Sequence, residues 1–388
     1  MDPAKVLSSV RELMTRFADQ TGLSSERPPR RYLWTDAFAV CNFLELFRRT
    51  EKERWRDLAL QLVGQVHTVL GRHREDDTRT GWISGLEELE GRRHPTAGGL
   101  RIGKELNERQ EDEPFDEGLE WERDGQYFHY LTKWMHALDR VGSAVGDPLY
   151  TVWAVELART AHAGFVYVPK AGSLKRLYWK MSIDLTRPLV PSMGQHDPLD
   201  GLITFSQLQG SLSRSIDKGQ ASALDAEIDD LADICSRQDL VTSDALGIGG
   251  LLFDACRMAQ LRLRGDFDRP ELLEQTLEAA MTGLESFVVR SPLRLPAAYR
   301  LAFRELGLAI GLQGVEKIRG LVAESPGTFD KALLARLEAF DRFLPLREQI
   351  VGFWREGESR EAASWKGHLE INAVMLATSL APEGFLTI

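Results

Sequence analysis

The densest group of side chains able to move protons lies between Met181 and Leu202, in MSIDLTRPLVPSMGQHDPLDGL, which carries Asp184, Arg187, His196, Asp197 and Asp200. Pro188, Pro191 and Pro198 exclude one continuous helix there, because proline lacks an N–H and clashes with the preceding turn. Beyond Pro198 the pattern turns helical, and proline is well tolerated in a helix's first turn. The stretch reads as a stiff loop delivering His196, Asp197 and Asp200 to the mouth of a helix. Asp197 and Asp200, at i,i+3, share one helix face. An imidazole and carboxylates on rigid backbone are the equipment of general acid–base chemistry. For each residue the plainer alternative is an aspartate cap beside solvated charges.

Other carboxylates fall at comparable positions. Asp36 sits in Tyr-Leu-Trp-Thr-Asp, and Glu120, Glu122 and Asp124 sit in LEWERDGQYFHY just before His129 and Tyr130. Crowded acids raise one another's pKa values. Glycosidic bond cleavage needs a proton donor for the leaving oxygen and a second carboxylate for water or the anomeric carbon. The candidate catalytic residues are therefore Asp36, Asp124, Asp197 and Asp200, with His196. Five of the nine tryptophans, Trp34, Trp82, Trp121, Trp179 and Trp365, lie in loops or at helix starts. Flat aromatic faces stack on sugar rings, and the same rings can instead pack loops onto a core. With Gln126, His129, Tyr130, Asp184, Gln195 and His368 they make up the candidate substrate-binding set. Arg294 and Arg300 are available to a carboxylate or phosphate. Asp244, in Thr-Ser-Asp, reads as a helix cap.

Sharper motifs fail. Gly98-x4-Gly103-Lys104 has Glu105 where a phosphate loop needs Ser or Thr. Gly247, Gly249 and Gly250 lie inside a helical pattern and suggest close helix packing. There is no GxSxG elbow, no HExxH helix and no calcium-loop spacing. The sequence names no metal site and no cofactor, and metal dependence stays open, since acid clusters would tolerate Ca²⁺.

Twelve helical segments must position these groups: 4–20, 34–49, 52–72, 122–141, 148–165, 198–213, 224–235, 244–259, 270–288, 296–312, 330–354 and 364–380. They alternate between one-faced amphipathic segments and segments apolar almost all round. Sustained period-two patterns are missing, so strands are minor. A regular two-helix repeat implies hairpins burying their faces on neighbouring hairpins. Six of them predict an all-α (α/α)6 toroid formed as a single domain over 1–388. The long connections, 21–33, 73–120 and 166–195, would gather on one rim, and the 73–120 loop would cover it, with Asp76, Asp77 and Arg79 in the lid.

The 388 residues carry a net charge of −10, with 43% hydrophobic and 27% charged residues, a globular balance. No basic cluster with interleaved aromatics suggests nucleic acid, and neither a signal peptide nor a membrane span is evident. Cys41, Cys235 and Cys256 lie in helical patterns without CxxC spacing, as in a reducing compartment. The expected setting is cytoplasmic, and the expected partner is a small-molecule saccharide.

Trp34-Thr35-Asp36-Ala37-Phe38 resembles the Trp-x-Asp-Gly-Leu/Phe element of the unsaturated glucuronyl and rhamnogalacturonyl hydrolases. The whole helix pattern resembles the six-hairpin glycosidase superfamily to which they belong. The resemblance implies the toroid, carbohydrate chemistry and a general acid/base role for Asp36. The toroid is shared with sugar 2-epimerases, mannanases, polysaccharide lyases and terpene cyclases, so fold alone does not fix a reaction. The Asp-x-Asp-Asp of protonating cyclases is absent. The leading expectation is a glycoside hydrolase acting on a small or modified saccharide. An isomerase or cyclase on the same barrel, or a non-catalytic sugar-binding protein, are the alternatives.

Overall fold

The computed structural model describes residues 2–170, 173–215, 223–325 and 327–388. Its chain divides into two compact units, Ala18–Gln238 and Asp239–Ile388, the latter together with the N-terminal residues through Phe17. The first helix is α1 (Pro3–Gln20).

The Ala18–Gln238 unit contains α2 (Leu33–Thr50), α3 (Glu53–Leu70), α4 (Glu88–Arg93), α5 (Glu117–Glu122), α6 (Phe128–Val145), α7 (Leu149–Phe165), α8 (Asp197–Ser215) and α9 (Asp225–Cys235). Helices α2 and α6 are buried over most of their length, whereas α3 shows one apolar stripe, as their patterns predict. Helix α6 starts later than its apolar pattern, because Gln126–Tyr127 is drawn off as strand β1. Gly125 makes that departure possible. Its φ of 146° suits only glycine, and a Cβ there would lie 2.7 Å from the Met181 carbonyl oxygen. Strands β2 (Val166–Tyr167) and β3 (Arg176–Leu177) pair with each other, while β4 (Lys180–Met181) lies between β1 and β5 (Pro188–Val190). The stretch expected to be a stiff loop is thus partly a small antiparallel sheet, with Gln126 opposite Met181 and Tyr127 opposite Lys180.

The second unit holds α10 (Ala245–Arg264), α11 (Pro270–Arg290), α12 (Ala302–Glu324), α13 (Lys331–Ala339), α14 (Pro345–Arg355), α15 (Gly357–Arg360), α16 (Ala363–Lys366), α17 (Leu369–Leu380) and α18 (Glu383–Leu386). Pro345 explains why the predicted 330–354 helix is split, since proline cannot continue the preceding turn. Helix α12 begins six residues after its predicted start, at Ala302, because Pro296 opens a short 3-10 turn instead. Helices α10 and α12 cross at Gly249, where a Cβ would come within 2.3 Å of the Gly307 carbonyl oxygen. Arg300 is not available to a ligand. It is buried and bound to Glu305 through two hydrogen bonds of 2.8 and 2.6 Å, and Glu305 also accepts from the Trp354 indole. Asp244 caps α10 through the Gly247 amide at 2.9 Å, the role read for it in the sequence.

All three cysteines are reduced and buried. Burial pushes the Cys41 and Cys256 thiols up to about 12. No helix among the described residues is long and apolar enough to cross a membrane.

His67 is buried on α3, and its Nε2 accepts the Trp134 indole N–H at 3.2 Å. Burial lowers its pKa to about 3, so the folded chain keeps it neutral while the unfolded chain protonates it near the ordinary 6.5. Between those values the unfolded state binds more protons, and stability falls as pH falls, by up to about 1.4 kcal/mol per pH unit. Chemical denaturation from pH 7 to pH 4 should show this slope. His67→Gln, which keeps an acceptor for Trp134, should flatten it. An unchanged slope would assign the acid sensitivity to other groups.

Candidate functional site

The first turns of α2, α6 and α8 adjoin within the Ala18–Gln238 unit. The Tyr32 and Tyr130 hydroxyls are 2.6 Å apart, and the rings meet edge to face. Across the next interface His129 Nδ1 lies 3.8 Å from Asp197 Oδ1, just beyond hydrogen-bond distance. Asp200, one turn further along α8, accepts from the Thr132 hydroxyl and pairs with Lys133 Nζ at 2.8 Å. Both aspartates lie in the first turn of α8, where the helix dipole favours negative charge. The i,i+3 spacing in sequence thus brings both carboxylates to the same neighbour, α6, with different partners.

An aromatic wall adjoins them. Trp121, 36% exposed, meets Trp179 edge to face at 5.0 Å and stacks on Tyr127 at 6.2 Å. The Tyr127 ring lies 5.4 Å from His129 and 5.2 Å from Tyr130. Three buried polar atoms in this small region have no hydrogen-bond partner in the protein: the Tyr127 hydroxyl, His129 Nδ1 and Asp197 Oδ2. Unsatisfied buried groups carry a desolvation cost, and one functional explanation is a ligand that completes them. Burial raises the pKa of Tyr32 to about 12 against the opposing effect of its bond to Tyr130, and burial raises that of Tyr127 as well. Both phenols therefore hold their protons at neutral pH.

Several other candidates have structural partners. Asp124 is fully buried: Arg101 approaches at 2.5 Å, Arg74 at 3.4 Å, and the Gly103 and Gly125 amides donate at 2.9 and 3.0 Å. This carboxylate fastens the 73–120 loop to the approach to β1 and offers no free face to a substrate. Gln126 is likewise consumed, accepting from Leu100 N and donating to the Gly98 and Ile183 carbonyls. Trp82 is buried under Arg72 and against Gly91, where a Cβ would lie 2.3 Å from its ring. Asp184 joins Asp77 and Glu108 around Arg79, at 2.9, 2.8 and 2.5 Å, which ties the 73–120 loop to the 182–187 turn. The Arg79 hydrogen bonds hold the Asp77 carboxyl well below the usual range.

Asp36 accepts from the Tyr32 amide at 3.0 Å and lies 3.6 Å from the buried Arg31, so it fixes the entry to α2. Trp34 packs on Phe38 and is buried. Gln195 is exposed and His196 half-buried immediately before α8, where the His196 carbonyl accepts the Asp200 amide. Trp365 and His368 belong to the other unit: Trp365 is buried against Trp354, and His368 is exposed beside Phe303. Among the described residues no three His, Cys, Asp or Glu side chains converge as metal ligands.

Tyr127 and Lys133 were not singled out by the sequence. Tyr127 stands two residues before His129, where strand β1 gives way to α6, and Lys133 stands four residues after His129, on its helix face. The compact aromatic run from Tyr127 to Tyr130 is the signal that was available.

No protein-family model and no curated protein matches the sequence. Solved structures do. A GH76 α-mannanase from Bacteroides thetaiotaomicron superposes with a TM-score of 0.55 at 10% identity, covering 100% of both chains. A sugar epimerase from a ruminal bacterium gives 0.49 at 10% identity over 98% of both chains. A cellobiose 2-epimerase from Spirochaeta thermophila gives 0.48 at 11% identity, over 95% of this chain and 97% of that one. The likeness to the mannanase establishes the fold as all-α, of the (α/α)6-barrel class. The particular resemblance of Trp34–Phe38 to the unsaturated glucuronyl hydrolases has no counterpart among these three.

Asp124→Ala should leave the Arg101 guanidinium buried without its carboxylate, and breaking such a pair typically costs about 3–5 kcal/mol. Limited proteolysis should then cut within 73–120 before the helices unfold. Wild-type cleavage kinetics in the variant would show that the loop is anchored elsewhere.

Proposed function

We propose that this chain is a carbohydrate-active enzyme and that Asp197 and His129 form its acid–base pair. The observation that carries this reading is the set of three unpartnered buried polar atoms beside the Trp121–Trp179–Tyr127 wall. Aromatic faces take the apolar faces of a sugar ring, and the unpaired groups take its hydroxyls. The GH76 α-mannanase shares the fold and lends the carbohydrate reading a prior.

In hydrolysis, Asp197 in its protonated form would protonate the leaving glycosidic oxygen, and His129 would take a proton from the attacking water. Lys133 and Thr132 hold Asp200 in place one turn further along the same helix. A second reading, proton transfer at the carbon beside a sugar carbonyl, rests on one specific observation. Of the two α8 carboxylates, Asp200 is engaged by Lys133 and Thr132, so the group facing Asp197 is an imidazole, not a second carboxylate. A glycosidase built on two carboxylates needs both across the scissile bond.

The experiment is incubation with mono- and oligosaccharides in D2O. New reducing ends report hydrolysis, and deuterium at a carbon reports isomerisation. Turnover of at least one saccharide is expected. Asp197→Asn and His129→Asn should each reduce it about 10²–10⁴-fold with the fold intact by circular dichroism. Full activity in both variants, or turnover of no saccharide, would overturn the assignment.

A further inference from the structure

Among the three unpartnered atoms, the Tyr127 hydroxyl has no role in the acid–base pair. Its side chain is only 4% exposed, so the oxygen is held out of water without a protein partner. A buried phenol usually finds a hydrogen bond, and this one forgoes it in a densely hydrogen-bonded neighbourhood. The ring is held firmly. Its backbone pairs with Lys180 across β1 and β4, and its faces and edges meet Trp121, Trp179, His129 and Tyr130. Lys180 Nζ lies 5.5 Å from the ring centroid, buried and bound to Glu120 at 2.9 Å, which fixes the strand that the ring is packed on.

We infer that Tyr127 donates its hydroxyl proton as a hydrogen bond to the sugar oxygen that gains negative charge in the transition state. That oxygen is the leaving oxygen in hydrolysis or the carbonyl oxygen in isomerisation. No bond to the proton breaks, and the phenol remains neutral throughout. A preorganised donor of this kind acts in a site closed to water, where it needs no reorganisation as charge develops. The raised pKa of the phenol agrees with this use, because the proton stays in place at working pH. The inference rests on the carbohydrate reading above.

Tyr127→Phe removes the hydroxyl and keeps the ring. With the saccharide that the wild-type enzyme turns over, kcat should fall about 10²–10³-fold while KM changes little. Thermal stability should stay level or rise, since a buried hydroxyl without a partner is lost. A purely structural hydroxyl predicts the reverse, a lower melting temperature with kcat intact, and that result overturns the inference. So does wild-type kcat in Tyr127→Phe when Asp197→Asn and His129→Asn are inactive, which leaves the acid–base assignment standing. If the wild-type chain turns over no saccharide, both the reading and the inference fall.

Discussion

The candidate site depends on a carboxylate that takes no part in its chemistry. Asp124 is fully buried between two arginines and two backbone amides, and it fastens a long loop to the residues that start β1. From there the chain runs through Gly125 and β1 directly into Tyr127, His129 and Tyr130. A buried charge of this kind is tolerable only when fully paired. Each guanidinium and amide around Asp124 therefore has a second effect, because it sets where the aromatic wall begins.

The helices were legible from periodicity. Segments 4–20, 52–72, 148–165 and 270–288 return with shifts of a residue or two, because each shows one apolar stripe and clear ends. The errors fall where backbone geometry overrides apolar content. The helix expected from residue 122 includes Gln126–Tyr127, yet pairing with Lys180–Met181 takes those residues out of it. At Pro345 a proline splits a run that hydropathy alone joins.

The candidate site was legible in part. Asp197, Asp200 and His129 were picked out by type and position, and the structure places them on the adjoining ends of α8 and α6. Asp36, Asp124, Gln126, Trp82 and Asp184 carry the same signals in sequence, yet each is occupied by protein partners. A sequence shows that a carboxylate is present near a loop. It does not show whether an arginine some 20 to 105 positions away, as Arg101 is from Asp124 and Arg79 from Asp184, has already claimed it. Tyr127 went unnoticed for the complementary reason: its significance lies in a missing partner, and only coordinates reveal one.

The three buried thiols have a practical meaning. Cys41 and Cys235 lie in Ala18–Gln238, and Cys256 lies in Asp239–Ile388. A thiol must ionise before it attacks an alkylating reagent, and these are shielded from both water and reagent. Modification can proceed only through opening of the helix that holds each cysteine. The chain thus contains its own chemical clock for each unit, and a mass spectrometer can read the two separately without any label being engineered in.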